Sequence, residues 1–196
     1  MRASFWGQLL YPPNLLSLAR VALAPVAASS ILDFDYQQAL GVCVLAGFTD
    51  ALDGMLARNF GWATPLGQIL DPLADKILMA AVFLSLGAAG QLPWWLVGLV
   101  FGRDLLILVF SGAAIHFLGH REFRPSVWGK ISTAVQVVTA LAAIAKGVTS
   151  KSVAREAVSV LVWLAAAATL WSGLHYAWLG RQVLGLPRTQ TPRRED

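Results

Sequence analysis

The sequence predicts an all-α membrane protein built from six transmembrane helices. Of its 196 residues, 57% are hydrophobic and only 13% are charged, whereas about a quarter of the residues in soluble domains are charged. Runs such as SVLVWLAAAATLW do not alternate with a period of two, which excludes a transmembrane barrel. Six apolar stretches are long enough to cross a bilayer, near residues 14–32, 37–57, 66–90, 92–118, 128–147 and 153–179.

Residues 3–11 precede the first span and are rich in apolar and aromatic side chains. We expect them to form a short helix on the membrane surface, before Pro13 and Asn14 start the first span. The start of the chain also resembles a secretory signal, but Pro12, Pro13 and Arg20 interrupt its apolar run. We therefore expect this segment to remain part of the mature protein.

Short polar connections separate the six spans. The second and third spans are joined by NFGWATP, in which Thr64 precedes Pro65 and is predicted to cap the third helix. So short a turn makes these two helices antiparallel neighbours. We expect a single six-helix membrane domain over residues 1–184, followed by a disordered polar tail over residues 185–196.

The distribution of Lys and Arg predicts that both termini face the cytoplasm. With a cytoplasmic N-terminus, most of the arginines near span ends lie inside, whereas Lys146, Lys151 and Arg155 lie outside. This orientation places residues 50–76, and with them the candidate active site, at the cytoplasmic ends of the second and third spans. We expect an integral protein of a bacterial inner membrane, and no feature of the sequence predicts a nucleic-acid partner.

Four aspartates interrupt the apolar sequence between residues 50 and 76. Asp50 and Asp53 are three residues apart and Asp71 and Asp75 are four apart, so each pair projects from one face of its helix. Four adjacent anions near head-group depth repel one another and need cations to hold them. An all-oxygen set suits Mg²⁺, Mn²⁺ or Ca²⁺ rather than Zn²⁺. Such carboxylates can bridge two ions about 3.5–4 Å apart, which favours phosphoryl displacement.

Small and basic residues accompany the aspartates. Gly54, Ala57 and Gly67 lie on or beside the acidic face, where a bulky ligand can approach the backbone. Arg58 offers a forked donor for a phosphate group. Two other interpretations stay open, namely a structural salt-bridge network of the aspartates with Arg58 and Lys76, and helix packing as the role of the small residues.

Intramembrane acids are also found in divalent-cation transporters and channels, which form the alternative class of function. Such a protein needs acidic side chains along a path through the bilayer. The sequence offers no such path through the half of the predicted bundle that lies farther from the cytoplasm, so an enzyme is favoured. A passive structural membrane protein is a third and weaker hypothesis.

Together these residues form the pattern D-x-x-D-G-x-x-A-R, eight residues, then G-x-x-x-D-x-x-x-D. The pattern resembles, with no departure, the signature of the CDP-alcohol phosphatidyltransferase family. The N-x-L at Asn14, together with Arg20, extends the resemblance to the first span. The resemblance implies a six-helix membrane enzyme, often a homodimer, that transfers a phosphatidyl group from CDP-diacylglycerol to an alcohol and releases CMP.

The same resemblance implies roles for individual residues. The four aspartates bind divalent metal, as two Mg²⁺ or Mn²⁺ ions, and Asp75 also acts as the general base that takes the proton of the acceptor hydroxyl. The CDP-linked donor is assigned to positions in the signature and the first span, namely Gly54, Ala57, Arg58, Thr64, Gly67, Asn14 and Ser17.

Basic residues outside the signature suggest an anionic acceptor. Arg103 lies mid-span, and Arg124 and Lys130 lie near the same cytoplasmic face as the aspartates. Arg103 can equally form an ion pair with Asp104 or with a signature aspartate. The run R-D followed by R-P-S, G-K and T-A-x-Q resembles the cardiolipin synthase branch, which uses phosphatidylglycerol. Phosphatidylglycerophosphate synthases, which use glycerol 3-phosphate, are close relatives, so the acceptor stays open between the two.

Overall fold

The structure is a computed structural model that describes residues 11–60, 64–118, 126–149 and 152–184, with side chains described over 11–55, 64–109, 126–149 and 154–178. Over these ranges the chain forms six α-helices and no strand, which confirms the predicted all-α fold class. The helices are α1 Pro12–Leu32, α2 Tyr36–Phe60, α3 Gly67–Ala88, α4 Trp94–Leu118, α5 Val127–Thr149 and α6 Ser152–Leu184.

Three of these helices are long and apolar enough to cross a membrane over their described residues. They are α1, α5 and the part of α6 from Ala154 to Trp178. In contrast, α2 and α3 carry the charged residues of the signature, and the side chains of α4 are described only up to residue 109. The expectation of six membrane spans is therefore supported for three helices and stays a prediction for the others. The predicted surface helix at 3–11 and the tail at 185–196 lie almost wholly outside the described residues.

Helix α1 packs against both α2 and α3. Its buried residues recur every three or four positions, as expected for one face of a helix, and include Asn14, Ser17, Arg20, Ala24 and Ala27. The first half of this face is largely polar, and the second half consists mainly of small residues, with Ile31 near the end of the helix. The α1 face therefore presents hydrogen-bonding groups at one end of the bundle and close apolar contacts at the other.

The second half of the molecule is built around α6, which packs against α4 and α5. Helix α5 also contacts α2 and α3 and so joins the two halves, whereas α4 meets α3 over a smaller contact. The apolar core includes Ile31 of α1, Phe83 and Leu86 of α3, Leu96 of α4 and Ile144 of α5. These residues lie at the end of the bundle away from the signature aspartates.

Helix α3 begins at Gly67, slightly later than the predicted start near Pro65. Thr64 still acts as a cap, because its Oγ1 accepts a hydrogen bond of 3.0 Å from the Gly67 backbone N–H and its carbonyl accepts one of 3.2 Å from Gln68. A Cβ at Gly67 would lie only 2.5 Å from Asn14 Oδ1. This glycine is therefore needed for the close approach of α3 to α1, which supports the helix-packing interpretation at this position.

Candidate active site

Carboxylates of α2 and α3 meet around Arg20, which projects from the buried face of α1. The Arg20 guanidinium forms ion pairs with Asp50, at 2.9 Å, and with Asp53 and Asp75. The Arg20 side chain is only 1% exposed, and a charge buried within an apolar helix bundle requires partners of this kind. One arginine of the first span thus holds three of the four signature aspartates.

The fourth aspartate is held by another residue of α1. Ser17 is fully buried, and its hydroxyl donates a hydrogen bond to the Asp71 carboxylate. Ser17 and Arg20 are three residues apart on α1, and Asp71 and Asp75 are four residues apart on α3. Two successive turns of α1 and α3 are therefore joined by polar contacts.

A third polar contact lies one turn further towards the start of α1. Asn14 Nδ2 donates a hydrogen bond of 3.0 Å to Thr64 Oγ1, and both residues are buried. The structure thus brings four of the residues assigned to the donor, Asn14, Ser17, Thr64 and Gly67, to one place beside Asp71. Gly54 lies next to Asp53 on α2, while the side chains of Ala57 and Arg58 lie outside the described residues.

The acidic cluster of Asp50, Asp53, Asp71 and Asp75 carries excess negative charge. Its four carboxylates and the Arg20 guanidinium leave three net negative charges when all are ionised. The Asp53 side chain is 5% exposed, whereas those of Asp50 and Asp75 are 53% and 48% exposed. The accessible side of the cluster is therefore formed by Asp50 and Asp75.

The donor atoms of the acidic cluster fit a hard divalent cation, because they are carboxylate and hydroxyl oxygens only. As arranged, no group of three or more His, Cys, Asp or Glu side chains in the described part of the chain is placed to hold a metal. Arg20 lies among three of the aspartates instead. A divalent cation and the Arg20 guanidinium would therefore share, or compete for, the same carboxylates.

The salt-bridge interpretation of the aspartates was right about ion pairing and wrong about Lys76. Lys76 Nζ donates a hydrogen bond of 2.8 Å to Asp104 on α4, not to a signature aspartate. Among the residues whose side chains the structure describes, the cation within the cluster is Arg20, which the interpretation did not include. The part of the interpretation that concerns Arg58 stays a prediction, because that side chain lies outside the described residues. The sequence does carry a signal for it, since Arg20 is a charge within an apolar span, on the same helical face as Asn14 and Ser17.

A large cavity borders the acidic cluster between α2, α3 and α5, with Arg20 of α1 at one end. Its volume is about 470 Å³, and Arg20, Asp50 and Asp75 form its polar end. The rest of the wall is largely apolar and includes Ala46, Leu78, Met79, Val82, Ala140 and Ile144. This cavity can hold a ligand that has a charged head and a long apolar part.

A smaller cavity of about 220 Å³ lies on the other side of Asp75, between α3, α4 and α5. Lys76, Arg103 and Asp104 line it together with Asp75. Of the four signature aspartates, Asp75 is the one that lines both cavities. A group on a ligand in either cavity can therefore approach the same carboxylate.

The residues assigned to the acceptor do not all come together. Arg103 is buried, donates hydrogen bonds to Asp104 at 2.7 Å and to Ser172 at 2.9 Å, and lies over the ring of Tyr176. The ion-pair interpretation of Arg103 is thus confirmed, and the same residue lines the smaller cavity. Lys130 is exposed at the start of α5 and is not among the residues that line the two cavities. Arg124 lies outside the described residues.

Comparisons with known proteins agree on one family. The CDP-alcohol phosphatidyltransferase family model matches residues 10–171. The chain is 34% identical to human cardiolipin synthase (CMP-forming), over 88% of the chain and 63% of that protein. It is also 34% identical to the chloroplastic CDP-diacylglycerol–glycerol-3-phosphate 3-phosphatidyltransferase 1 of Oryza sativa subsp. japonica, over 87% of the chain and 57% of that protein.

A bacterial relative from Aquifex aeolicus, CDP-diacylglycerol–glycerol-3-phosphate 3-phosphatidyltransferase, is 36% identical over 62% of the chain and 68% of that protein. The chain spans less than two thirds of the length of the human and rice proteins. These relatives are named as phosphatidyl-transferring or CMP-forming enzymes. They give no support to the alternative of a divalent-cation transporter or channel.

Proposed function

The chain belongs to the CDP-alcohol phosphatidyltransferase family, and from this premise we propose that it transfers a phosphatidyl group from CDP-diacylglycerol to an anionic alcohol. The observation that carries the proposal is the position of Asp75, which lines both cavities beside the acidic cluster. Two substrates that exchange a group must meet at one point, in an orientation that allows reaction. The acceptor is phosphatidylglycerol or glycerol 3-phosphate, as in the synthesis of cardiolipin or of phosphatidylglycerophosphate.

The proposed reaction exchanges one phosphorus–oxygen bond for another. The acceptor hydroxyl oxygen attacks the phosphorus that carries the diacylglycerol, the bond from that phosphorus to CMP breaks, and CMP leaves with the electron pair. Asp75 takes the hydroxyl proton as general base. Its half-exposed side chain is on the same face of α3 as Asp71 and one turn further along the helix, which suits this role.

We propose that the donor, CDP-diacylglycerol, binds on the side of the larger cavity. Its diacylglycerol part fits the apolar wall formed by α2, α3 and α5, with its phosphates at the polar end near Arg20 and Asp50. The CDP part is proposed to lie at the start of α3, against Ser17 and Thr64. The end of α2, with Gly54 and the signature positions that follow it, is proposed to complete this site.

Divalent ions are proposed to bind to the four aspartates, as two Mg²⁺ or Mn²⁺ ions. When bound, such ions neutralise phosphate charge and stabilise the attacking and leaving oxygens. The chain itself supplies Arg20, which draws the carboxylates of α2 and α3 together and offsets part of their repulsion.

We also propose a topology of six spans in which both termini and the acidic cluster face the cytoplasm. The distribution of Lys and Arg supports this orientation. A homodimer, a bacterial inner membrane and a single domain over residues 1–184 stay predictions drawn from the sequence and the family.

The proposed function is tested by CMP release from the purified protein. CDP-diacylglycerol, Mg²⁺ and an acceptor are supplied together, with each one omitted in turn. We expect CMP release that requires both CDP-diacylglycerol and an acceptor. Uptake of divalent metal into liposomes by a protein that never turns over CDP-diacylglycerol would overturn the proposal in favour of a transporter.

A further inference from the structure

The smaller cavity supports a further inference, which rests on the proposed function. We infer that this cavity, between α3, α4 and α5, holds the acceptor, and that the acceptor is a lipid with a phosphodiester head group. Lys76 and Arg103 then bind the phosphodiester, and Asp104 positions both of them. The inference follows from the shape of the cavity, its charge and its access to the membrane.

The smaller cavity is polar at one end and apolar along its length. Lys76 of α3 contacts Asp104 of α4, so Asp75 and these two residues lie at one level. From that level the wall continues along both antiparallel helices towards the α3–α4 connection, with Met79, Ala80, Phe83, Val100 and Phe101. Lys76 and Phe83 are separated by roughly 10 Å along the helix at about 1.5 Å per residue. A ligand with its charged head beside Asp75 can therefore extend an apolar chain along this wall.

The charge of the polar end matches a phosphodiester. The Asp75 carboxylate at this end is already paired with Arg20. Beside it, the ammonium of Lys76 and the guanidinium of Arg103 share the single carboxylate of Asp104, which leaves one net positive charge. A phosphodiester carries one negative charge, whereas a phosphate monoester carries about 1.5 to 2 at neutral pH. A partly buried site with one net positive charge favours a ligand with one negative charge, because no charge is then left uncompensated.

Asp104 is a positioning residue in this arrangement. Its carboxylate accepts hydrogen bonds of 2.8 Å from Lys76 Nζ and 2.7 Å from Arg103 Nη1. Arg103 is also held by Ser172 Oγ at 2.9 Å. The Lys76 side chain, by contrast, is 58% exposed and pairs with Asp104. Loss of the Asp104 charge is thus expected to release Lys76 more than Arg103.

The cavity is placed to receive a ligand from the bilayer. Helix α4 packs chiefly against α6 and meets α3 over a smaller contact. Exposed apolar side chains of α4, such as Leu105 and Leu108, face away from the bundle near the same level. A lipid can therefore enter between α3 and α4 with its apolar chain in the membrane and its head beside Asp75.

The first test compares acceptors with the full-length protein in mixed micelles that contain CDP-diacylglycerol and Mg²⁺. We expect kcat/KM for phosphatidylglycerol to exceed that for glycerol 3-phosphate. A higher kcat/KM for glycerol 3-phosphate would overturn the inference and leave the proposed function intact. If CMP is released with neither of the two acceptors, both the inference and the proposed function are overturned.

Variants then test the site within the same assay. Ala80 lines the smaller cavity but not the larger one. The A80L variant fills part of the apolar wall, so we expect the KM for phosphatidylglycerol to rise about tenfold, within the range of an overpacked site, with the KM for CDP-diacylglycerol unchanged. The matched control is Ala88→Leu at the exposed end of α3. Equal changes in both KM values, or none in either, would contradict the assignment of the cavity.

Asp104→Asn tests the positioning role. It is expected to raise the KM for phosphatidylglycerol while sparing the KM for CDP-diacylglycerol, and Asp104→Glu is expected to restore part of the loss. A purely structural role would change both KM values or lower the amount of folded protein instead. Lys146→Gln removes a charge at the opposite end of α5, beside Gln91 and Arg155, and serves as the charge control.

Discussion

At the scale of single residues, the acidic cluster pairs a permanent cation with carboxylates that also fit a divalent metal. Arg20 is almost fully buried and contacts Asp50, Asp53 and Asp75. Arginine suits this position because its planar fork can reach several carboxylates at once and stays charged when buried. The residual negative charge of the cluster is what a metal would neutralise.

We expect Arg20→Gln to lower the Tm in EDTA and to enlarge the rise in Tm caused by Mg²⁺. Removing one partner of a buried ion pair costs about 3–5 kcal/mol, since the buried Asp53 loses its compensating charge. Thermal unfolding in detergent, with EDTA and with Mg²⁺, measures both effects. Arg155→Gln, on the exposed surface of α6, is the control. An Arg20 variant that matches this control in both conditions would show that Arg20 does not hold the cluster together.

Asp75 has a different expected phenotype, because it lies where both cavities meet. Asp75→Asn should keep donor binding and part of the Mg²⁺-dependent stabilisation, while turnover falls by roughly 10²–10⁴-fold, the usual contribution of a positioned general base. Donor affinity and kcat are to be measured on the same preparation. Asp50→Asn provides the comparison, since it is expected to weaken metal binding. Turnover near the parental rate, or a complete loss of donor binding, would assign the base to another residue.

At the scale of secondary-structure elements, the close contact of α1 with α3 depends on Gly67, which has no side chain. A Cβ at Gly67 would lie 2.5 Å from Asn14 Oδ1, so Gly67→Ala is expected to push α3 away from α1 and to destabilise the fold by about 1–3 kcal/mol. At Gly98 on α4 a Cβ would meet open space, so Gly98→Ala should be neutral or stabilising by up to about 1 kcal/mol. Unfolding in denaturant measures both, and equal effects would contradict the proposed close packing.

The order and extent of the helices could be predicted because hydrophobicity and spacing are local properties of the sequence. The shared faces of Asp50 with Asp53, and of Asp71 with Asp75, follow from helical geometry in the same way. The partner of the aspartates could not be predicted, since Arg20 is at least 30 residues away from them and its contacts depend on how α1 packs against α2 and α3. The pairing of Lys76 with Asp104 likewise depends on the packing of α4.

At the scale of the whole molecule, the acidic cluster and the apolar core lie towards opposite ends of the bundle. The acidic cluster involves the starts of α1 and α3 and the later part of α2, whereas the apolar core lies towards the α1–α2 and α3–α4 connections. The two cavities extend from the cluster towards this core. Those two connections are linked, because Gln91 Nε2 donates a hydrogen bond of 2.8 Å to the hydroxyl of Tyr36. Lys146 and Arg155 line a cavity with Gln91 and belong to the same end. This division gives the molecule two distinct ends whose sides of the membrane can be tested.

With a cytoplasmic N-terminus, the α1–α2 turn should face outwards and the start of α5 should face the cytoplasm. Cys43 is the one cysteine of the sequence, so Cys43→Ser provides a background without thiols. In that background, F34C, at the exposed α1–α2 turn, should react with a membrane-impermeant maleimide on intact cells. S126C, just before α5, should react only after the membrane is permeabilised. The reverse pattern would invert the topology, and labelling of both sites on intact cells would contradict the assignment of the two ends to opposite sides of the membrane.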